Sequence, residues 1–190
     1  MGKIVISTNV SLDGVVQDPD GKEGYERGGW FGQSGGQDLE LWAQIETEEA
    51  IRADALLLGR RSDDWFGSRW STRTGAWADR LNGLPKYVAS TTLEDPVWQN
   101  TTVLRGETTA AVARLKENID GDILVYASYQ LGQVLIENDL VDEFRLFVFP
   151  VVIGAGARLF GETSDQKPLR LVDTNTIGSG LVFLTYELVR

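Results

Sequence analysis

The run "ALLLG" at 55–59 constrains this chain more than any other feature, because it has strand length and no alternation of apolar and polar residues. A strand without a polar face is covered on both sides, the condition of a parallel sheet held between helical layers. "DILVYA" at 122–127 repeats the pattern. Each run passes directly into a polar, helix-starting segment: "RSDDWF" after Gly59 and Arg60-Arg61, and "SYQLGQVLIEND" after Ala127. Ser128 stands where it would cap the second of these helices.

The rest of the chain keeps the alternation. "KIVISTNV" at 3–10, "PKYVAS" at 85–90 and "TTVL" at 101–104 read as strands, while residues 37–52, 74–83 and 108–119 read as helices. On the 37–52 helix an imperfect apolar stripe runs through Leu39, Trp42, Ile45 or Glu46, Glu49 or Ala50, and on to Ala53, with the other acidic residues outside it. Residues 11–36 are rich in glycine and predict a long loop with little regular structure, in which Trp30 and Phe31 either pack the loop down or line a pocket. The last third changes character. "VDEFRLFVFPVVI" at 141–153 reads as a long strand bent near Pro150, and "LRLVDTNTI" and "GLVFLTYELV" as a hairpin turning at Gly178 and Ser179. The sum is one α/β domain over 1–190, a three-layer sandwich with a mixed, mostly parallel central sheet and a C-terminal antiparallel hairpin.

Composition prunes the chemistry. The chain has no cysteine and no histidine, which excludes thiolate nucleophiles, imidazole bases and the usual structural zinc. "DPDGKEG" at 18–24 lacks the full spacing of a calcium loop and reads as an acidic turn, so no metal is expected. A net charge of −10, with 18 basic residues scattered among 28 acidic ones, argues against nucleic acid as a partner. No stretch approaches the roughly 18 apolar residues of a membrane span, and "MGKIVISTNVSLDG" is too short and polar for a signal peptide. A cytoplasmic protein acting on a small molecule is the expectation.

Open parallel sheets bind ligands beyond the carboxyl ends of their strands. Three polar corners fall at such ends: Gly59-Arg60-Arg61-Ser62, Ser90-Thr91-Thr92 and Ala127-Ser128. A helix N-terminus offers unpaired N–H groups to an anion, and arginine adds bidentate contacts to phosphate. Each corner alone also reads as a solvated turn; three in register fit an extended dinucleotide. No Walker-type loop or G-x-G-x-x-G follows the first strand, and "GAGARLFG" at 154–161 comes too late in the chain to serve as one.

The segments "SLDGVVQDPDG", "ALLLGRRSDDWF", "KYVASTTLEDPVWQN", "DILVYASYQLGQVLIENDLVDEFRLFVFPVVIGAGARLF" and "LVFLTYEL" stand in the order and spacing of a known family. By them the chain resembles the dihydrofolate-reductase-like family, which includes the reductase domain of the bifunctional riboflavin biosynthesis deaminase-reductase. The resemblance spans nearly the whole chain. It implies NADPH binding across the carboxyl edge of the sheet and hydride transfer to a small, flat heterocycle of pterin or pyrimidine type. It implies that Gly59, Arg60 and Ser62 approach the cofactor phosphates, that Ser90 and Thr91 hold the adenosine-ribose phosphate, and that Ala127, Ser128, Gln130 and Leu131 cradle the pyrophosphate. The exit of the first strand, with Leu12, Asp13 and Gly14, is implied near nicotinamide and substrate, and Trp30 and Phe31 are candidates to stack on the ring. Asp13 is the one acid the resemblance places there, as a catalytic proton source; read from the residues alone, it is a turn carboxylate.

Relatives carry glycine at or beside position 127, where this chain has alanine. Three functions stay open: a reductase of unassigned substrate, the riboflavin-pathway reduction of 5-amino-6-(5-phosphoribosylamino)uracil, and a non-catalytic ligand-binding homologue. For the second, Arg27, Arg69, Arg73 and Arg158 are candidate phosphate ligands. For a folate-type site, Glu40, Glu46, Glu48 and Glu49 share one helix and none stands out. A homodimer is expected from the family's habit and from the apolar strand "FRLFVFPVVI".

Overall fold

The computed structural model describes residues 1–189. Six parallel strands, β1 (Lys3–Ser11), β2 (Ala55–Gly59), β3 (Lys86–Ala89), β4 (Thr101–Leu104), β5 (Asp122–Tyr126) and β6 (Glu143–Phe149), lie in the order β4-β3-β2-β5-β1-β6. The hairpin of β7 (Leu169–Ile177) and β8 (Leu181–Leu188) completes the eight-stranded sheet, with β8 antiparallel to β6 and β7 at the edge.

Helices cover both faces, and this is why the strands carry no alternation. Ala55 and Leu57 pack with Val112 and Leu115 of α5 (Thr108–Asn118) and Leu135 of α6 (Tyr129–Glu137). Leu56 and Leu58 pack on the other side with Ala50 of α2 (Leu39–Arg52), Trp70 of α3 (Arg60–Trp70) and Leu81 of α4 (Ala76–Gly83). β5 divides in the same way, Ile123 and Val125 to one layer and Leu124 and Tyr126 to the other. The three-layer α/β sandwich and its closing hairpin follow the sequence reading. Among the described residues no helix is long and apolar enough to cross a membrane.

Three local expectations are overturned. The 11–36 segment is not irregular to its end: α1 (Trp30–Gly35) forms there, followed by a 3-10 turn at Gly36–Asp38. Trp30 anchors it, edge-on to Phe149 with ring centres 5.4 Å apart, its indole N–H donating to the Gln17 carbonyl. Secondly, β6 is not a free apolar face. It pairs with β1 and β8, and Phe144, Phe147 and Phe149 are fully buried in the chain's own core. Thirdly, the acids of α2 do not all face outward. Glu46 and Glu49 are buried against the sheet, where Ser7 and Arg145 supply polar partners that no local pattern announces.

Candidate active site

A cleft of about 540 Å³ opens at the carboxyl ends of β1, β2 and β5. One end is built from the predicted corners. Gly59, Arg60, Ser62, Ala127, Ser128, Gln130 and Leu131 all line it. Ser128 sits at the N-terminal boundary of α6 but makes no capping hydrogen bond. Its hydroxyl instead donates to Ser62 Oγ at 2.8 Å and accepts from the Gly59 amide at 3.0 Å. That stitches the ends of β2 and β5 together. It also leaves the start of α6 without a side-chain cap, and α3 starts at Gly59, which has no side chain to cap with; both starts lie on the cleft. The first amides of a helix have no partner within it, so two converging uncapped helix starts and a guanidinium form a receptor for an anion. Arg60 is half exposed and held only loosely, by Thr92 Oγ1 at 3.1 Å and Asp64 at 3.9 Å. Such surface contacts are weak enough for the side chain to turn toward a ligand.

The third corner does not reach the cleft. Ser90 Oγ accepts from the amides of Thr92 and Leu93 and closes its own turn, while Thr91 is exposed; only Ala89 of that strand lines the site.

Ala127 adopts the left-handed conformation, with φ of 57°. For an L-residue this costs about 1 kcal/mol relative to glycine, partly offset by the greater unfolded-state freedom that glycine brings. Ala127→Gly is therefore expected to raise stability by up to about 1 kcal/mol, read as a higher urea midpoint. A lower midpoint would mean the methyl group makes contacts that outweigh the strain.

The other end of the cleft is aromatic, walled by Phe31, Trp42, Trp65, Phe66 and Trp77. Phe31 and Trp42 stand edge-to-face at 4.8 Å, and the Trp42 indole N–H donates to Asn9 Oδ1 at 2.8 Å, which fixes its ring. Glu46, 4% exposed, lines the same cleft. Burial, and then the neighbouring Glu49, push its carboxyl well above the usual carboxylate range. Tyr126 lies beside it; its buried hydroxyl has no hydrogen-bond partner of good geometry, and burial keeps it protonated far above neutrality.

Asp13, Leu12 and Gly14 do not line the cleft. Asp13 accepts from the amides of Ile153 at 3.0 Å and Gly154 at 2.8 Å, and from Ser11 Oγ at 2.7 Å. The Ile153 amide and the Ser11 hydroxyl, helped by Gly154, hold its carboxyl at about 2, so it is ionised near neutrality with no proton to give. It fastens the 151–154 segment to the end of β1. Leu12 points outward, and Gly14 lies against the Arg158 side chain with φ of 85°. Trp30 belongs to the core beneath Phe149 and does not line the cleft, whereas its neighbour Phe31 does.

The acidic turn is likewise structural. Asp18 accepts from the amides of Glu23 and Tyr25, and no cluster of three metal-ligating side chains occurs among the described residues. Glu46 was half visible in the sequence, since it and Glu49 occupy positions that continue the Leu39–Trp42 stripe. Helical spacing alone did not separate a buried acid from a wet one.

The family described as the RibD C-terminal domain matches residues 2–183. Two curated proteins of Bacillus subtilis (strain 168), both described as uncharacterized, are similar along nearly their full length. YyaP is 28% identical over 196 residues, covering 97% of this chain and 94% of that protein. YwjB is 25% identical over 179 residues, covering 94% of each. Among solved structures, a candidate riboflavin biosynthesis protein from Shewanella sp. PV-4 superposes with a TM-score of 0.76 at 21% identity, over 99% of both chains. Dihydrofolate reductase from Enterococcus faecalis, complexed with NADP(H), gives 0.62 at 13% identity, over 99% of this chain and 97% of its own. A Thermotoga maritima diaminohydroxyphosphoribosylaminopyrimidine deaminase/5-amino-6-(5-phosphoribosylamino)uracil reductase gives 0.61 at 14% identity, over 98% of this chain and 56% of its own.

Proposed function

The chain belongs to the RibD C-terminal domain family, and from that premise we propose that it is an NADPH-dependent reductase of a small, flat heterocycle. One observation carries the reading: a single cleft joins an anion-receptive corner to an aromatic chamber that holds a buried carboxyl. The corner fits the cofactor's phosphates, because two uncapped helix starts, the Ser62–Ser128 pair and a loosely held Arg60 converge there. When bound, NADPH supplies a hydride. The chain's own residues do the rest. Arg60 and the amides at the starts of α3 and α6 hold the phosphates, Phe31 and Trp42 hold the ring flat, and Glu46 gives the proton.

Titration with NADPH and NADH, followed by quenching of tryptophan fluorescence, tests the cofactor half. NADPH is expected to bind more tightly than NADH, and Arg60→Ala to weaken NADPH by about tenfold or more, the loss of one charge-assisted contact of roughly 1.5–3 kcal/mol. Failure of both cofactors to bind would refute a reductase and leave a non-catalytic binding protein.

The family match and the Thermotoga neighbour favour a second reading, the riboflavin-pathway reductase. Its substrate carries a phosphate. None of the four arginines considered for that phosphate lines the cleft, and each is engaged by other groups. Arg27 donates to the Ile153 carbonyl, Arg69 and Arg73 lie over the rings of Trp65 and Trp70, and Arg158 donates to the Asp13 carbonyl. NADPH oxidation dependent on 5-amino-6-(5-phosphoribosylamino)uracil would establish the second reading over the first.

A further inference from the structure

Resting on the reductase reading, we propose that Glu46 meets the substrate as a neutral carboxylic acid, because Glu49 holds the pair's one negative charge, and that the substrate is an uncharged flat ring bearing a carbonyl or imine.

The argument begins with spacing. Glu46 and Glu49 are three apart on α2 and share its buried face, at 4% and 6% exposure. Two buried carboxylates side by side do not both ionise near neutrality, so what decides the chemistry is which one keeps the proton. Their surroundings are unequal. Glu49 accepts from Ser7 Oγ at 2.7 Å and from Arg145 Nη1 at 3.3 Å. Arg145 is itself set by Asp122 at 2.8 Å and by Glu143, which also binds Lys3. Glu46 has no such cation. Its charged neighbour is Glu49 on the same helix; from β5 it meets the Tyr126 hydroxyl, and Trp42 and Trp77 bring only indole rings to the cleft beside it. Burial raises both carboxyls, Glu46 the further, and Arg145 and Ser7 draw Glu49 back toward ionisation.

A neutral carboxyl donates one hydrogen bond, so it selects an acceptor atom on its ligand. An ionised one would instead select a cationic edge. Of the two arginines that line the cleft, Arg61 is paired to Glu23 at 3.1 Å and Arg60 is assigned to the cofactor's phosphates, which leaves no cation for a phosphate on the substrate ring. In the reaction the substrate's C=O or C=N carbon takes the hydride that NADPH supplies. The π electron pair moves to oxygen or nitrogen and is protonated by Glu46. NADP+ and a Glu46 carboxylate remain, and solvent reprotonates Glu46 through the cleft.

Infrared difference spectroscopy of the full chain at pH 7, without ligands, reads the proton directly. The wild type is expected to show a protonated-carboxyl band that disappears in Glu46→Gln. In Glu49→Gln the repelling charge is gone, so Glu46 ionises more easily and the band is lost at lower pH than in the wild type. A merely structural Glu49 would leave that midpoint in place. Absence of the band in the wild type, or its survival in Glu46→Gln, would overturn the proposal. Substrate class is read by calorimetry with NADP+ present, comparing lumichrome, an uncharged three-ring carbonyl compound, with FMN, a related ring carrying a phosphate. Lumichrome is expected to bind at least tenfold more tightly. No lumichrome binding, or equal binding of FMN, would overturn the class assigned. If NADP+ itself fails to bind, the reductase reading falls while the infrared result still decides the protonation of the pair.

Discussion

Arg145→Met is expected to destabilise the protein by about 3–5 kcal/mol, the usual consequence of removing one member of a buried ion cluster. Arg145 stands on β6 opposite Ser7 of β1, largely buried, with Glu49, Glu143 and Asp122 around its guanidinium. Methionine keeps much of the apolar stem but leaves three carboxylates facing one another. Lys3 is paired with Glu143 and also lies within electrostatic reach of Asp122, but not of Glu49. The urea midpoint at pH 7 measures the loss. The gap between variant and wild type should narrow as the pH falls and the stranded carboxylates take up protons, because the repulsion needs their ionised forms. A loss below about 1 kcal/mol at pH 7 would show that these acids are already protonated or reach water when the cation is gone.

Glu46→Gln is expected to lower kcat by about 10²–10⁴-fold, the range associated with a positioned proton donor, while leaving NADPH affinity unchanged. The amide preserves shape and can donate a hydrogen bond but has no acidic proton. The pH dependence separates this role from simple packing. The required form of Glu46 is protonated, so wild-type kcat should fall as pH rises through its elevated pKa, and the variant should lack that limb. Asp13→Asn, by contrast, should leave the limb in place, since Asp13 binds the amides of Ile153 and Gly154 and does not line the cleft. Loss of the limb in Asp13→Asn, or its persistence in Glu46→Gln, would return the proton donor to the end of β1.

That the Gly59-Arg60-Ser62 and Ala127-Ser128 corners meet at one edge was legible because the causes are local. An apolar run that breaks at Gly59, and another that breaks at Ala127, end strands and start helices by their own composition, and a parallel sheet brings all such ends to one edge. Ser90 and Thr91 satisfied the same pattern, yet Ser90 Oγ closes on the amides of Thr92 and Leu93 and neither residue lines the cleft. Nothing in the strand before it distinguishes the two outcomes.

Layer architecture, the closing hairpin and the Gly59-Arg60-Ser62 and Ala127-Ser128 corners were determined by the sequence itself, because hydrophobic period and chain-breaking residues act over a few positions; the strand expected over 141–153, by contrast, stops at Phe149. Which buried carboxyl faces the cleft was decided only by tertiary structure. Asp13 is held by an amide 140 residues away, and Glu49 is paired to a guanidinium 96 residues away, while Glu46 lines the cleft without a cation of its own. A carboxyl's burial and its share of a proton depend on which distant charges the fold brings beside it, and electrostatic energy follows separation in space, not in sequence.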